Sequence, residues 1–208
     1  KDGAGSIPME VGHTLVDRAS WEKEFLPRLQ WSDSRADEAL INSLKAGDTQ
    51  RQTPLGLHAG SLLGTIRDWL GVEELCYLYM DDYDLYKEII DTVGELSYRA
   101  VKRALSLYTG FDYLHFWEDI CFKNGPLVTP AVFEELVGPH YRRITELAGE
   151  HGLDIISVDC DGLIDRLVPI WLENGVNTMF PIEYGTWEAS IAPWREQYGR
   201  QIRGVGGM

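Results

Sequence analysis

The hydrophobic and polar positions of the chain change period several times, and these changes divide it into helices and strands. Between residues 83 and 108, apolar side chains recur every three to four positions, which predicts one long amphipathic helix. The apolar stripe consists of Leu85, Ile89, Ile90, Val93, Leu96, Ala100, Val101, Ala104, Leu105 and Tyr108. Charged residues fall mostly outside the stripe, so we expect this helix to pack one face against a broad surface.

Short apolar runs alternate with helical patterns through the rest of the chain. The predicted strands are residues 51–58, 112–117, 154–158, 177–181 and 201–205. The predicted helices, besides the long one, are residues 61–70, 72–80, 130–150, 163–174 and 187–198. This alternation is typical of a parallel sheet with crossover helices, either a (β/α)8 barrel or a doubly wound sheet. No glycine-rich nucleotide-binding motif follows a predicted strand, which favours the α/β class with a TIM-type barrel.

The first 50 residues lack the strand–helix alternation of the rest of the chain. Residues 1–31 read as an irregular segment anchored by Trp21, Phe25 and Trp31, and a helix then starts near Ser34 and ends at Gly47. Because no linker divides the chain, we expect one domain over residues 1–208, with the βα units in residues 51–208. The last predicted strand would leave an unpaired edge, so we expect a partial barrel, truncated at both ends and inactive on its own.

Three successive predicted strands end in acidic residues. The acids are Glu118 and Asp119 after the strand at 112–117, Asp159 and Asp161 after the strand at 154–158, and Glu183 after the strand at 177–181. Parallel barrel strands point the same way, so we expect these carboxylates to line one mouth. There a crowded acid holds its proton, binds a metal or pairs with a cation. The alternative is that each acid only caps a helix or solvates a turn.

Other polar residues lie close to these acids in the predicted order. His58 at a predicted strand end, Lys123 after the first acid pair and Tyr184 beside Glu183 are candidates for binding substrate. His115 lies inside a predicted strand, which favours a hydrogen-bonded core histidine. Cys160 has no neighbouring base or cation that would lower its pKa, so we do not expect a nucleophilic cysteine.

Composition narrows the classes of partner. The net charge of -14, from 19 basic and 33 acidic residues, argues against a nucleic-acid partner, which needs a basic face. The 3 cysteines are widely spaced and form no C-x-x-C pair, so the simplest interpretation is a reducing cytoplasm without a disulfide framework. No apolar run approaches the roughly 20 residues that a membrane-spanning helix needs.

Several short segments, in this order along the chain, resemble the uroporphyrinogen decarboxylase family. They are Phe-Trp-Glu-Asp at 116–119, Lys-Asn-Gly-Pro-Leu at 123–127, Asp-Cys-Asp-Gly at 159–162, the Pro-x-Trp-Leu-x-x-Gly-Val-Asn pattern at 169–177, and Pro-Ile-Glu at 181–183. The superfamily also contains the cobalamin- and coenzyme-M-dependent methyltransferases. The resemblance implies a (β/α)8 barrel longer than this chain.

The resemblance favours a methyl- or one-carbon-transfer enzyme that acts on a small molecule and takes its methyl group from a corrinoid carried by a partner protein. Glu118, Asp119, Asp159, Asp161 and Glu183 would then form the catalytic set. Methyltransferases of the superfamily carry a His-x-Cys zinc pair where this chain has Asp159-x-Asp161, which implies a harder divalent metal or none.

Two other functions stay open at this point. One is the decarboxylation of a porphyrinogen or another carboxylated aromatic, although the family's Arg-rich N-terminal segment and early aspartate are not found in this sequence. The other is a barrel that binds a cation or a basic ligand without reaction.

Overall fold

The computed structural model describes residues 12–207, and its centre is a sheet of five parallel strands. The strands along the chain are β1 (Gly56–Gly60), β2 (Tyr113–Trp117), β3 (Cys121–Phe122), β4 (Gly125–Pro126), β5 (Ile156–Asp159), β6 (Thr178–Ile182) and β7 (Arg203–Gly206). The sheet order is β1-β2-β5-β6-β7, and β3 and β4 form a separate antiparallel pair. The α/β class and the parallel sheet are therefore confirmed.

Among the described residues, two helices precede the first strand, and the others connect the strands. In chain order the helices are α1 (Arg18–Ser20), α2 (Glu38–Gly47), α3 (Gly64–Leu70), α4 (Val72–Asp81), α5 (Tyr83–Leu107), α6 (Pro130–Val132), α7 (Gly138–Glu150), α8 (Val168–Glu173), α9 (Tyr184–Trp187) and α10 (Ile191–Tyr198). Short π-helical turns occupy Trp21–Phe25 and Phe133–Val137. Short 3₁₀ turns occupy Leu26–Leu29, Asp33–Arg35, Asp48–Gln50 and Gly199–Gln201.

The long helix α5 forms as its hydrophobic period predicts. Asp82 caps its first turn by accepting a hydrogen bond from the Leu85 N–H (2.9 Å). Most of the apolar stripe between Leu85 and Leu105 is buried, and Leu96 and Ala100 are half-buried. The buried face packs against α7, α4, α2 and β1, which is the broad surface that the pattern indicated. The helix therefore supports the first strand of the sheet from one side.

The sheet has two different faces, because side chains alternate along each strand. Leu114, Phe116, Ile156, Val158 and Met179 are buried on the face that packs against the helices. We call the opposite face the inner face. His58, His115, Ser157 and Thr178 lie in register across β1, β2, β5 and β6 on the inner face.

Some predicted boundaries were wrong. The first strand is Gly56–Gly60 rather than 51–58, because Arg51 and the Leu55 N–H bind the Asp112 carboxylate and hold residues 51–55 outside the sheet. The helix predicted to start near Ser34 begins at Glu38, where Asp37 accepts the capping hydrogen bond from the Leu40 N–H.

Three predicted helices are shorter than their patterns. The helix predicted at 61–70 starts only at Gly64. The helix predicted at 163–174 starts only at Val168. The helix predicted at 187–198 is interrupted at Glu188, whose φ of 59° ends α9 before Ser190 caps α10. The sheet also does not close: β1 and β7 are its two edges in the described residues, so the closed barrel stays a prediction.

Two of the predicted N-terminal anchors are confirmed. Trp21 is fully buried and donates from Nε1 to Glu88 (2.9 Å), and the Phe25 ring lies 5.2 Å from the Trp69 ring. The first part of the predicted irregular segment, residues 1–11, and Met208 lie outside the described residues. Within residues 12–207, no helix combines the length and the apolar character needed to cross a bilayer.

Candidate functional site

Glu118 follows β2 and lies underneath the carboxyl edge of the sheet. It is 0% exposed, and its carboxylate accepts five hydrogen bonds. The donors are the Ser61 hydroxyl (3.1 Å), the backbone N–H groups of Leu62 (2.8 Å), Leu63 (2.9 Å) and Gly64 (2.8 Å), and the Tyr141 hydroxyl. We call this set of donors the Glu118 cradle. It holds the start of α3 against the end of β2.

The Glu118 cradle determines the position of this carboxylate. Burial raises the pKa of Glu118, and the hydrogen bonds from Tyr141 and from the backbone of the cradle offset only part of this rise. At Gly64 there is no room for a side chain, because a Cβ there would lie 1.9 Å from the Glu118 carbonyl oxygen. Glu118, predicted to line the mouth, therefore lies beneath it, and we assign it a positioning role.

Asp119 turns outward where Glu118 turns inward. Its φ of 46° is in the left-handed region, and its Oδ2 accepts a hydrogen bond from Arg67 Nη1 (2.9 Å). Arg67 also donates to the Asp119 carbonyl and to Asp68, and its guanidinium lies 5.5 Å from the centre of the Trp117 ring. Arg67 therefore places a cation at this edge. It was not among the predicted site residues, because the sequence around a helical arginine does not indicate that its side chain contacts a strand end.

Asp159 ends β5 on the inner face, beside Trp117. Burial, followed by the charges of Asp161 and Asp119, raises the pKa of Asp159 to about 6. Among the residues described, no group donates a hydrogen bond to the Asp159 carboxylate. Asp159 is therefore a half-buried acid that changes its protonation state close to neutral pH.

Asp161 lies in the same group of charges. Burial, followed by the charges of Glu183 and Asp119, raises the pKa of Asp161. The electrostatic interactions join Asp119, Asp159, Asp161 and Glu183 into one cluster, which we call the acid rim. Four of the five acids predicted to share one site thus lie close enough to influence one another.

Glu183 has the most local contacts within the acid rim. Its carboxylate accepts hydrogen bonds from the Gly162 N–H (2.5 Å) and from the Thr186 hydroxyl (2.8 Å). These contacts connect the loop after β5 to the start of α9. The neighbouring Tyr184 is 68% exposed and stands at the outer side of the rim. Glu183 thus shapes the rim as well as adding charge to it.

The other predicted residues lie farther from the rim. Lys123 is exposed in the turn between β3 and β4, and none of the described acids forms an ion pair with it. His58 and His115 lie on the inner face with ring centroids 5.7 Å apart. The predicted hydrogen-bonded state of His115 is confirmed by its contact with Ser157 (2.8 Å). Burial raises the pKa of the Cys160 thiol, which agrees with the absence of a nucleophilic role.

A metal site does not emerge from the described side chains. Within residues 12–207, no group of three or more His, Cys, Asp or Glu residues is arranged to hold a metal ion. Asp159 and Asp161, the predicted candidates, lack a third ligand within this part of the chain. A divalent metal at this pair stays a prediction.

Comparison with known proteins gives a fold relationship. The structure is similar to that of a methyltransferase from Methanosarcina mazei, with a TM-score of 0.61 and 13% sequence identity over 92% of this chain. The chain spans 51% of that protein, about half of its length. At this identity the likeness shows the fold, an α/β arrangement that matches part of a TIM-like structure. No protein-family model and no curated protein matches the chain.

Proposed function

We propose that this chain carries the catalytic centre of a methyl- or one-carbon-transfer enzyme, in which Asp159 is the general acid. The observation that carries this proposal is the raised pKa of Asp159, about 6, in a carboxyl group without a hydrogen-bond partner among the described residues. A group of this kind exchanges protons readily near neutral pH, as general acids do. The structural likeness to a methyltransferase supports the choice of reaction class.

The chemistry divides among the residues of the rim. When a methyl group leaves an oxygen or nitrogen atom, the leaving group keeps the bonding electron pair and takes a proton, which Asp159 supplies; a corrinoid donor would keep that pair on its cobalt and take no proton. Burial, and then the negative charge of Asp161 and Asp119, keep the pKa of Asp159 raised. Arg67 holds Asp119 in place, and the Glu118 cradle holds the helix that carries Arg67. Glu118 and Arg67 are therefore positioning residues in this proposal.

The finer features follow the sequence resemblance. We propose membership of the uroporphyrinogen decarboxylase superfamily, a corrinoid-bound methyl group delivered by a partner protein, and a cytoplasmic location. Substrate binding by His58, Lys123 and Tyr184 is part of the same proposal. The ordered motifs between residues 116 and 183 support these features, and the remaining half of the related structure's length is not represented in this chain.

Decarboxylation is a second candidate because Arg67 places a cation at the carboxyl edge of the sheet. A carboxylated aromatic would have to compete for that cation with Asp119 (2.9 Å) and Asp68 (2.7 Å), which already pair with it. The net negative rim would also repel a polycarboxylate. These contacts favour methyl transfer over decarboxylation, and an assay for coproporphyrinogen distinguishes the two directly.

The test uses the full-length protein with a panel of thiol and hydroxyl acceptors and two methyl donors, methylcobalamin and an aryl methyl ether. With the ether we expect turnover that falls as the pH rises through about 6, since Asp159 must be protonated. Asp159→Asn should lower the rate by about 10²-fold or more and remove this pH dependence. Asp154→Asn, an exposed aspartate near the other end of the same strand, is the matched control. An unchanged rate in Asp159→Asn would contradict the proposal.

A further inference from the structure

The inner face carries two neighbouring histidines, His58 and His115, whose rings meet edge to face. His58 is exposed at the edge strand and His115 is half-buried beside it, with the rings edge to face at 5.7 Å. Neither ring is an ordinary core histidine, because each uses only one nitrogen in a hydrogen bond within the described residues. The second nitrogen of each ring is available to a ligand.

The tautomer of His58 follows from its backbone contact. The Gly60 N–H donates to His58 Nδ1 (2.9 Å), so Nδ1 has no proton. A neutral imidazole carries one proton, which must then lie on Nε2. His58 therefore offers a hydrogen-bond donor at Nε2, and a metal ion at this nitrogen would require the Gly60 contact to break.

The Ser157 Oγ lies 3.2 Å from the Leu114 carbonyl oxygen and 2.8 Å from His115 Nδ1. With its single proton directed to the carbonyl, which can only accept, the Ser157 oxygen accepts from His115 Nδ1–H, and the neutral ring then has a free electron pair at Nε2. This tautomer of His115 complements that of His58. Burial, together with His58, lowers the pKa of His115, and burial lowers that of His58, which keeps both rings neutral near neutral pH.

The histidine pair and the acid rim share one surface. His115 precedes Trp117 by two residues on β2, and Ser157 precedes Asp159 by two residues on β5, so all four side chains lie on the inner face. Two residues along a strand span about 7 Å, a distance that one small molecule bridges. A ligand on the inner face can therefore reach the histidines and Asp159 together.

We propose that His58 and His115 bind a neutral hydroxyl or thiol group of the methyl acceptor, with His58 Nε2–H as donor and His115 Nε2 as proton acceptor. The O–H or S–H bond breaks, its proton passes to His115 Nε2, and its electron pair stays on the oxygen or sulfur, which forms the new bond to the methyl carbon. When the methyl group comes from an oxygen or nitrogen atom, the leaving group departs with the old bonding pair and takes the Asp159 proton. This inference rests on the proposed function for the identity of the reaction, but the binding site stands on its own geometry.

The test measures the ring nitrogens directly. In the full chain labelled with ¹⁵N-histidine, long-range ¹H–¹⁵N spectra at neutral pH should show His58 protonated at Nε2 and His115 protonated at Nδ1. Ethanol and ethanethiol are then added separately, and ethyl methyl ether and ethyl methyl sulfide serve as probes without the exchangeable proton. We expect the protic probe to change the ¹⁵N chemical shift of His115 Nε2 in a saturable way. The methylated form of the same probe, which lacks the exchangeable proton, should cause no change. The oxygen and sulfur arms distinguish the two acceptor classes.

Ser157 provides the matched variants. Ser157→Ala should remove the tautomer preference of His115 and weaken the binding of the protic probe by about tenfold, the effect of one lost buried hydrogen bond. Ser157→Thr keeps a hydroxyl, so it should retain the tautomer preference and the affinity for the probe. The inference would be overturned if, in the unmodified protein, His58 were protonated at Nδ1 or His115 at Nε2. It would also be overturned if protic and methylated probes shifted His115 Nε2 equally. Binding without methyl transfer would contradict the proposed function alone, and methyl transfer without a response of His115 would contradict this inference alone.

Discussion

Glu118 and Asp159 end neighbouring strands of one sheet, yet their surroundings are opposite. Glu118 is 0% exposed and has five hydrogen-bond donors around it, whereas Asp159 is half-buried and receives no hydrogen bond from the described residues. Burial raises the pKa of both carboxyl groups; hydrogen bonds offset part of this rise at Glu118, whereas the charges of Asp161 and Asp119 add to it at Asp159. One carboxylate is held by the fold, and the other receives no hydrogen bond from the part of the chain that the structure describes.

This difference shows what determines the role of an acid at a strand end. The deciding feature is the element that approaches it, because the first turn of a helix has N–H groups that need acceptors. At Glu118 the start of α3 supplies three such groups from Leu62, Leu63 and Gly64. At Asp159 the chain continues into a turn at Gly162 instead, and the nearest charged groups are acids.

The strongest test of the comparison is Glu118→Ala. It leaves the N–H groups of the Glu118 cradle buried without an acceptor, so we expect the free energy of unfolding to fall by about 3–5 kcal/mol in urea titrations. Glu146→Ala, an exposed glutamate on α7, is the control and should stay within about 0.5 kcal/mol. A loss below about 1 kcal/mol in Glu118→Ala would mean that the cradle does not hold α3 to the sheet.

The fold was predictable from the sequence to the extent that local patterns determine it. The stripe of α5 and the order of strands after residue 110 follow from hydrophobic period, because each element buries one side. The boundary of β1 was not predictable, since it depends on Asp112, which lies far along the chain and binds Arg51 and Leu55. Tertiary contacts of this kind leave no local signal.

The candidate site was predictable only as a set of strand ends. The rule that parallel strands direct their carboxyl ends to one edge brought Asp119, Asp159, Asp161 and Glu183 together correctly. The same rule could not separate Glu118 from them, because Tyr141 and the start of α3 reach it from distant parts of the chain. Arg67 was missed for the same reason, and Lys123, close in sequence, lies away in an exposed turn.

A smaller change at the cradle is Tyr141→Phe. It removes one of the five donors to Glu118 and leaves the ring, which packs against Phe116 at 4.8 Å, in place. We expect a loss of about 1–3 kcal/mol in the free energy of unfolding, the range for removing one hydrogen-bond partner of a buried polar group, measured by urea unfolding. Tyr184→Phe removes an exposed hydroxyl and should change little. Equal losses in the two variants would mean that the Tyr141 hydroxyl contributes nothing specific.

The smallest expected effect concerns the stability of the folded chain as a function of pH. The pKa of Asp159 rises from 3.8 to about 6 on folding, so between these values the folded state binds more protons than the unfolded state. Stability contributed by Asp159 is therefore lost as the pH rises from about 4 to about 6, and Asp159→Asn removes this loss. Because water screens a half-buried carboxylate, we expect Asp159→Asn to be more stable by only about 1 kcal/mol at neutral pH and equal to the parent below about pH 4.

Thermal unfolding of both proteins from acid to neutral pH measures this difference, with Asp154→Asn as a control that should show no pH-dependent gain. A constant difference across this range would show that Asp159 does not titrate near 6, and the contrast with Glu118 would then reduce to burial alone.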